Sequence, residues 1–275
     1  GLGHQDKYGA ALTAYGDYVA VGAPDHDGAG TNAGAVAVWK YDGTDYVQQG
    51  DLITLAGEGQ FGAAVDMEGY AVLIGAPATN NNAGAAHLLT TTNGSEWTVT
   101  ESLTPSDIGG FDSYGGSVDL DANLALVGAW RQEEWPPNAN GFIYTSYLYS
   151  DSSWVEYQSL EACDAADSDY HGYAVAHDGG DIIVGAPGTD GSTEVDLGEG
   201  QTGTNGQDGA VYFYSTSQPD LDVLTMTMDP ACEGEALGTL TAQVVGLGCV
   251  DYSWSGPDDY TSGGVASADT ITGLW

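Results

Sequence analysis

The sequence predicts an all-β chain made of repeated four-stranded blades, and three observations predict it. The first is a repeat: Gly-Ala-Pro stands at 22–24, 75–77 and 185–187, with Gly128-Ala129-Trp130 as a divergent copy. An aromatic–glycine pair lies upstream of each copy, as Tyr8-Gly9, Phe61-Gly62 and Tyr114-Gly115, with His171-Gly172 in the fourth. The pairs advance by 53, 53 and 57 residues, and each paired glycine lies 13 residues before the glycine that opens the next motif. Constant offsets of this kind are the mark of a repeat architecture. The second observation is period-two alternation, clearest in Ala35-Val36-Ala37-Val38-Trp39; no ten-residue stretch keeps the three-and-four spacing of a helix. The third is the tight-turn pairs that punctuate each unit.

Taken in order, Ala10 to Ala14 and Tyr18 to Ala23 read as two strands around Gly16-Asp17. The matching turns are Glu68-Gly69, Asp121-Ala122-Asn123 and Asp178-Gly179-Gly180. A polar loop of variable length follows each Gly-Ala-Pro. The third strand is Ala35 to Trp39, closed by Asp42-Gly43, and the fourth is Tyr46 to Ile53, echoed by Trp97 to Leu103 and Trp154 to Leu160. Four short antiparallel strands in about 53 residues is the size of a propeller blade. Small residues such as Gly22, Ala23, Gly75 and Ala76 allow close approach of blades near an axis. The aromatic of each pair is suited to wedge between neighbours and bury apolar area. A lone glycine-rich unit is marginal, so stacking must supply the missing burial.

These residues resemble the FG-GAP repeat of integrin α-subunit-like β-propellers. The nearest copies are Phe61-Gly62 with Gly75-Ala76-Pro77, and Gly185-Ala186-Pro187 with Gly209-Ala210-Val211-Tyr212. The resemblance covers residues 6–217, in units of about 6–58, 59–111, 112–168 and 169–217. It implies an extracellular or cell-surface propeller used for adhesion or ligand recognition, with an extracellular protein or glycan as partner. The family's propellers usually close with seven blades, so four units read as part of a larger propeller, with further repeats in the parent chain. The third unit departs at Trp130 and at Gly141-Phe142, and the fourth at His171, which reads as a packed substitute for the aromatic ring. The family's calcium loop is not matched: Gly16-Asp17 and 178–181 are too short to encircle a cation. Asp119, Asp121 and Asn123 begin such a loop, but Leu124-Ala125-Leu126 follows without the glycine or the distal carboxylate. Calcium is therefore not carried over, and no cofactor is expected.

The repeat stops at Pro219. Residues 218–223 read as a linker and 224–275 as a partial β-sandwich-like module. Its Tyr252-Ser253-Trp254-Ser255-Gly256-Pro257 resembles PKD-like or immunoglobulin-like modules of secreted adhesins. Of the three cysteines, Cys232 and Cys249 lie near each other in the chain and can pair in an oxidising compartment, and Cys163 is then left over.

Composition restricts function. Three basic residues against 40 Asp and Glu give a formal net charge of -37. Such a surface repels phosphate backbones and anionic lipid heads, which argues against nucleic acid and membrane-surface partners, and the longest apolar runs, such as Tyr70 to Ala78, are too short for membrane insertion as a span. The charge fits a solvated surface in high salt or a secreted setting; the sharper alternative is cation binding, which needs clustered ligands. No Gly-x-Ser-x-Gly, His-Glu-x-x-His or Gly-Lys-Ser signature occurs, and the five histidines show no ligand spacing. Gly57-Glu58-Gly59-Gln60-Phe61-Gly62 and Gly198-Glu199-Gly200-Gln201-Thr202-Gly203 place a carboxylate where a pyrophosphate would sit, so both are loop glycines. Asn93-Gly94-Ser95 fits a glycosylation acceptor and equally a hairpin tip.

Propeller geometry sends the loops between second and third strands to one face. They are 25–33, 78–83, 131–140 and 188–208. The candidate ligand residues there are Asp25, Asp27, Trp130, Arg131, Glu133, Glu134, Trp135, Asp190, Glu194 and Asp196, an acidic set with aromatic anchors. A non-enzymatic recognition module is the expected function. The alternatives are a polysaccharide hydrolase or lyase with paired carboxylates on the same loops, or a spacer in an acidic surface protein.

Overall fold

The structure is a computed structural model of the 275-residue chain. It describes residues 3, 5–105, 107–121, 123–130, 141–148, 154–160, 162, 169–178, 181–189, 209–215, 222–229, 238–245, 251–255, 261–265 and 268–274.

The described chain is all-β. Leu12–Tyr15 (β1), Tyr18–Ala23 (β2), Ala35–Tyr41 (β3) and Tyr46–Ile53 (β4) form the first antiparallel sheet, in chain order. The second sheet is Ala64–Glu68 (β5), Ala71–Gly75 (β6), Ala86–Thr90 (β7) and Thr98–Leu103 (β8), with a four-residue turn, Thr79–Asn82 (α1), between β6 and β7. The third is Tyr114–Asp121 (β9), Leu124–Ala129 (β10), Phe142–Leu148 (β11) and Trp154–Leu160 (β12). In the fourth, Ala174–Asp178 (β13), Asp181–Ala186 (β14) and Ala210–Ser215 (β15) are described. These four meanders are the predicted blades. The first strand starts two residues later than its alternation suggested, because Gly9 and Ala10 belong to a turn: the Ala10 amide donates to the Lys7 carbonyl at 2.9 Å.

Each first hairpin closes on two residues, since Tyr15 pairs with Tyr18, Glu68 with Ala71, Asp121 with Leu124 and Asp178 with Asp181. Register keeps one apolar set toward the neighbour on each side, and the first strands β1, β5, β9 and β13 pack side by side. Between the first two blades lies a core of Ala20, Val36 and Val38 from one sheet and Phe61, Val72, Ile74 and Leu89 from the next. Between the second and third, Leu73, Ala86 and Leu88 meet Tyr114, Ala125 and Val127. The burial is between sheets rather than within one, as marginal single units require.

The motif glycines explain how the sheets approach so closely. A Cβ at Gly22 would overlap the Gly62 carbonyl; Gly75 stands in the same relation to Gly115, and Gly128 to Gly172. A second contact accompanies each: Gly34 lies on the backbone of Phe61, Gly84 on Tyr114 and Gly141 on His171. The first two of these are short parallel bridges, Gly34 with Phe61 and Gly84 with Tyr114. The aromatic–glycine pair itself forms the centre of a turn. Gly9, Gly62, Gly115 and Gly172 have φ of 91, 89, 86 and 88°, the left-handed value that the third position of a type II turn demands. One glycine thus serves both the turn and the junction.

The chain divides into two compact units, Gly1–Leu160 with Ala165–Phe213, and Glu161–Asp164 with Tyr214–Trp275. Beyond the blades, Asp222–Asp229 (β16), Gly238–Val245 (β17) and Ala268–Leu274 (β20) make one antiparallel sheet, and Asp251–Ser255 (β18) pairs with Thr261–Val265 (β19). The described backbone of this region is strand. Cys163, Cys232 and Cys249, and with them the expected disulfide, lie outside the described residues.

Candidate functional site

In the first two blades the loop between second and third strands is held by the neighbouring blade. In the first blade, the Asn32 and Ala33 carbonyls accept the Gln60 and Phe61 amides of the second at 2.8 and 2.9 Å. In the second, Asn82 and Ala83 accept Ser113 and Tyr114 of the third at 2.7 and 2.9 Å. The run Asn80-Asn81-Asn82 achieves this with φ of 50, 62 and 62°. Asparagine tolerates that left-handed backbone better than other side-chain-bearing residues. Loop ends and aromatic–glycine turns are thereby gathered at one end of the array.

A buried acid stands before three of the four turns. Asp6, Asp112 and Asp169 stand three residues before the paired glycine and are buried. Asp6 accepts the Gly3 amide at 2.5 Å and Asp112 the Gly109 amide at 2.6 Å, so each closes the approach to its turn. In the second blade Gly59 holds that position, and Glu58 beside it substitutes by accepting from the Thr79 hydroxyl at 2.5 Å. The Asp-x-aromatic-Gly spacing was visible in the sequence, and its regularity is the signal that would have found these acids.

Three histidines find carboxylates that spacing could not reveal. His26 Nδ1 lies 2.8 Å from Asp6, and both are buried. The Gly3 amide and His26 hold the Asp6 carboxyl below the usual range, with burial opposing them. His87 Nε2 is 3.3 Å from Glu58, within ion-pair reach but off the hydrogen-bonding line, while its Nδ1 contacts the Ser102 hydroxyl at 2.9 Å. Burial pushes Glu58 up, but the His87 and Thr79 contacts outweigh it and hold the carboxyl low. His177, whose side chain is buried, meets Asp119 through Nδ1 and lies 3.6 Å from Asp121 through Nε2. The two acids that resembled the start of a calcium loop therefore face a histidine of the next blade.

Asp119 also accepts the His177 amide at 2.8 Å, and Asp66, at the equivalent position of the second blade, accepts the Leu120 amide at 2.8 Å and the Thr13 hydroxyl at 2.9 Å. These carboxylates lace the first strands of consecutive blades together. Burial pushes Asp66 up, against the hydrogen bonds to Leu120 and Thr13. Among the described residues no group of three or more His, Cys, Asp or Glu is arranged to hold a metal ion.

Of the sequence-predicted ligand residues, three are described. Asp25 is half-buried and paired with Lys7 at 2.8 Å. Asp27 is exposed and accepts the Asn32 amide at 2.8 Å, which orders the loop. Trp130 is half-buried, edge-on to Tyr170 at 5.6 Å and Tyr173 at 5.5 Å. Arg131, Glu133, Glu134, Trp135, Asp190, Glu194 and Asp196 lie outside the described residues. His171 occupies the ring position of Phe61 and Tyr114, fully buried and edge-on to Tyr212 at 5.0 Å. Asn93 caps its own turn by accepting the Ser95 and Glu96 amides at 2.9 Å, the hairpin-tip role read from sequence.

The junction geometry and the spacing now stand together. Residues 97–145 and 154–214 match the FG-GAP repeat. The first FG-GAP match holds Tyr114-Gly115, Gly128-Ala129 and Gly141, and the second holds His171-Gly172 and Gly185-Ala186-Pro187. Gly141 meets the next blade as Gly34 and Gly84 do, so the divergent third copy joins its neighbour with the same geometry as the other copies. No curated protein matches the chain. Among the described residues no helix is long and apolar enough to cross a membrane. A cleft of about 100 Å³ lies where Ser102, Thr104, Pro105, Tyr114, Trp154 and Glu156 meet. Ligand pockets usually measure roughly 300–1,000 Å³, so it is too small to enclose a sugar ring.

Proposed function

We propose that the chain is a non-enzymatic recognition module of a secreted or cell-surface protein, binding an extracellular protein or glycan through the loops at one end of its blades. The observation that carries this reading is the tethering of those loops. Backbone bonds from the next blade fix 25–33 and 78–83, and a scaffold that pre-orders its loops spends less binding energy on ordering them. Asp27 and Trp130 stand on this end, and the loops beyond Trp130 and Thr189 carry Trp135 and further acids. FG-GAP repeats commonly occur in extracellular proteins and are generally non-enzymatic, which favours recognition over the hydrolase, lyase and spacer alternatives.

Binding of the whole chain to panels of matrix proteins and glycans tests it. The expected result is saturable binding that falls at least tenfold in Trp135→Ala and in Asp27→Ser with the fold unchanged. Absence of binding across the panels, together with turnover of a polysaccharide, would overturn it.

A further inference from the structure

The junction between the third and fourth blades departs from the others at three places together. The first junction carries Pro24 with Gln60 and Ala63, and the second carries Pro77 with Ser113 and Gly116. At the equivalent places the third carries Trp130, Tyr170 and Tyr173. These three rings meet: Trp130 lies edge-on to Tyr170 at 5.6 Å and to Tyr173 at 5.5 Å, with interplanar angles of 72 and 65°. The indole is seated on Gly116 of its own blade, where a Cβ would overlap its Nε1 and Cδ1. The cluster therefore bridges two described blades within the array, at the head of loop 131–140.

Packing does not call for these rings. The first two junctions close without them on Phe61 and Tyr114, and His171 already fills that buried place in the third. Tyr173 remains 54% exposed, and Trp130 and Tyr170 are half-buried. Tyr170 also has a φ of 56°, in a left-handed region that is uncommon for residues with a side chain and an outlier for a bulky one. The equivalent positions, at 52, 60 and 58°, hold Lys7, Gln60 and Ser113. A large ring kept in such a backbone, with its surface in solvent, points to a functional demand.

We infer that Trp130, Tyr170 and Tyr173 form a platform on which a neutral pyranose of a glycan stacks. This rests on the recognition reading above and selects glycan over protein as its ligand. The face of an aromatic ring is the negative pole of its quadrupole, and it attracts the polarised C–H groups on one side of a sugar ring. The phenolic hydroxyls of the two tyrosines can donate to and accept from sugar hydroxyls. Three side chains make a patch of sugar-ring size, far short of the roughly 800 Å² that a stable protein partner covers on each side. The net charge of -37 repels sulfated and uronate chains, which leaves neutral sugars.

Titration calorimetry of the full chain tests the inference, with neutral oligosaccharides of glucose, mannose, galactose and N-acetylglucosamine beside a sulfated one. The expected result is saturable binding of at least one neutral sugar, weakened about tenfold or more by Tyr173→Ala and, separately, by Tyr170→Gln. Tyr46→Ala, which removes an exposed ring of the first blade, should leave it unchanged. Alanine and glutamine already stand at the equivalent positions of the second blade, as Ala63 and Gln60, so the junction should close in both variants, and circular dichroism checks that it does. Sugar binding untouched by both substitutions, or a preference for the sulfated oligosaccharide, would overturn the inference. Binding of matrix proteins with no sugar bound would overturn it while the recognition reading stands. No binding of proteins or sugars would overturn both.

Discussion

The junctions inside the blade array and the open face at its end are built from the same residues in different surroundings. Gly75 lies against Gly115, and no room remains for a methyl group; Gly185, its equivalent in the fourth blade, has only Ala174 near its Cβ position among the described residues. Phe61 is fully buried and Tyr8 is exposed. The difference teaches that the motif encodes a contact between units. A blade carries both halves of the junction whether or not a neighbour fills them, and stability depends on the filling.

The largest effect that separates the two regions should come from the wedge residue. Phe61→Ala removes a fully buried ring from the core between the first two blades, and losses of about 3–5 kcal/mol are usual for such truncations. Tyr8→Ala should cost the single chain about 1 kcal/mol or less, chiefly through loss of the hydrogen bond that its hydroxyl receives from Trp39 Nε1 at 2.6 Å. Chemical denaturation of both variants under dilute, low-salt conditions checks the contrast. Similar losses would break it.

A smaller effect is expected from the carboxylate lacing of the first strands. Asp66→Ala strands the buried Leu120 amide and the Thr13 hydroxyl, at about 1–3 kcal/mol. Asp66→Asn keeps an acceptor and should cost less. The pH dependence sharpens this, because burial raises the native pKa of Asp66. A raised carboxyl adds stability fully present below its unfolded value near 3.8 and lost as pH rises through the native value. Wild type should therefore gain on Asp66→Asn as acid is added. Asp6 and Glu58 act with the opposite sign. Their lowered values add stability present above 3.8 and 4.5, lost as pH falls through the native values. Urea midpoints of wild type, Asp66→Asn and Glu58→Gln from pH 7 to pH 3 should then diverge, with Glu58→Gln the flattest.

How much of this was legible in the sequence follows from the range of the interactions. The blades were legible because their signals are local: alternation in 35–39, two-residue hairpins, and a motif repeated at fixed offsets. The role of Gly141 was obscured by Phe142 and emerged only from its contact with His171. The acids Asp6, Asp112 and Asp169 carry a local signal that the search for ligand spacing passed over. The histidine pairs carry none, since Asp6 and His26 are 20 residues apart and Asp119 and His177 are 58. Such partners meet only once neighbouring blades are stacked. Much of the proposed site lies beyond Trp130 and Thr189, where loop length and acid content supply the reading.

The most direct test of a stability that resides in glycine-to-glycine contact between blades is one methyl group, placed at two equivalent positions. Gly75→Ala forces a Cβ into the Gly115 backbone, and overpacking at a site that cannot yield should cost about 3 kcal/mol. Gly185→Ala adds it in β14 at ordinary contact distance, 3.5 Å from the Ala174 Cβ, and should leave stability within about 0.5 kcal/mol of wild type or raise it slightly. Unfolding midpoints of the two variants, measured side by side on the dilute chain in low salt, should separate by most of that difference. Equal midpoints would contradict the account.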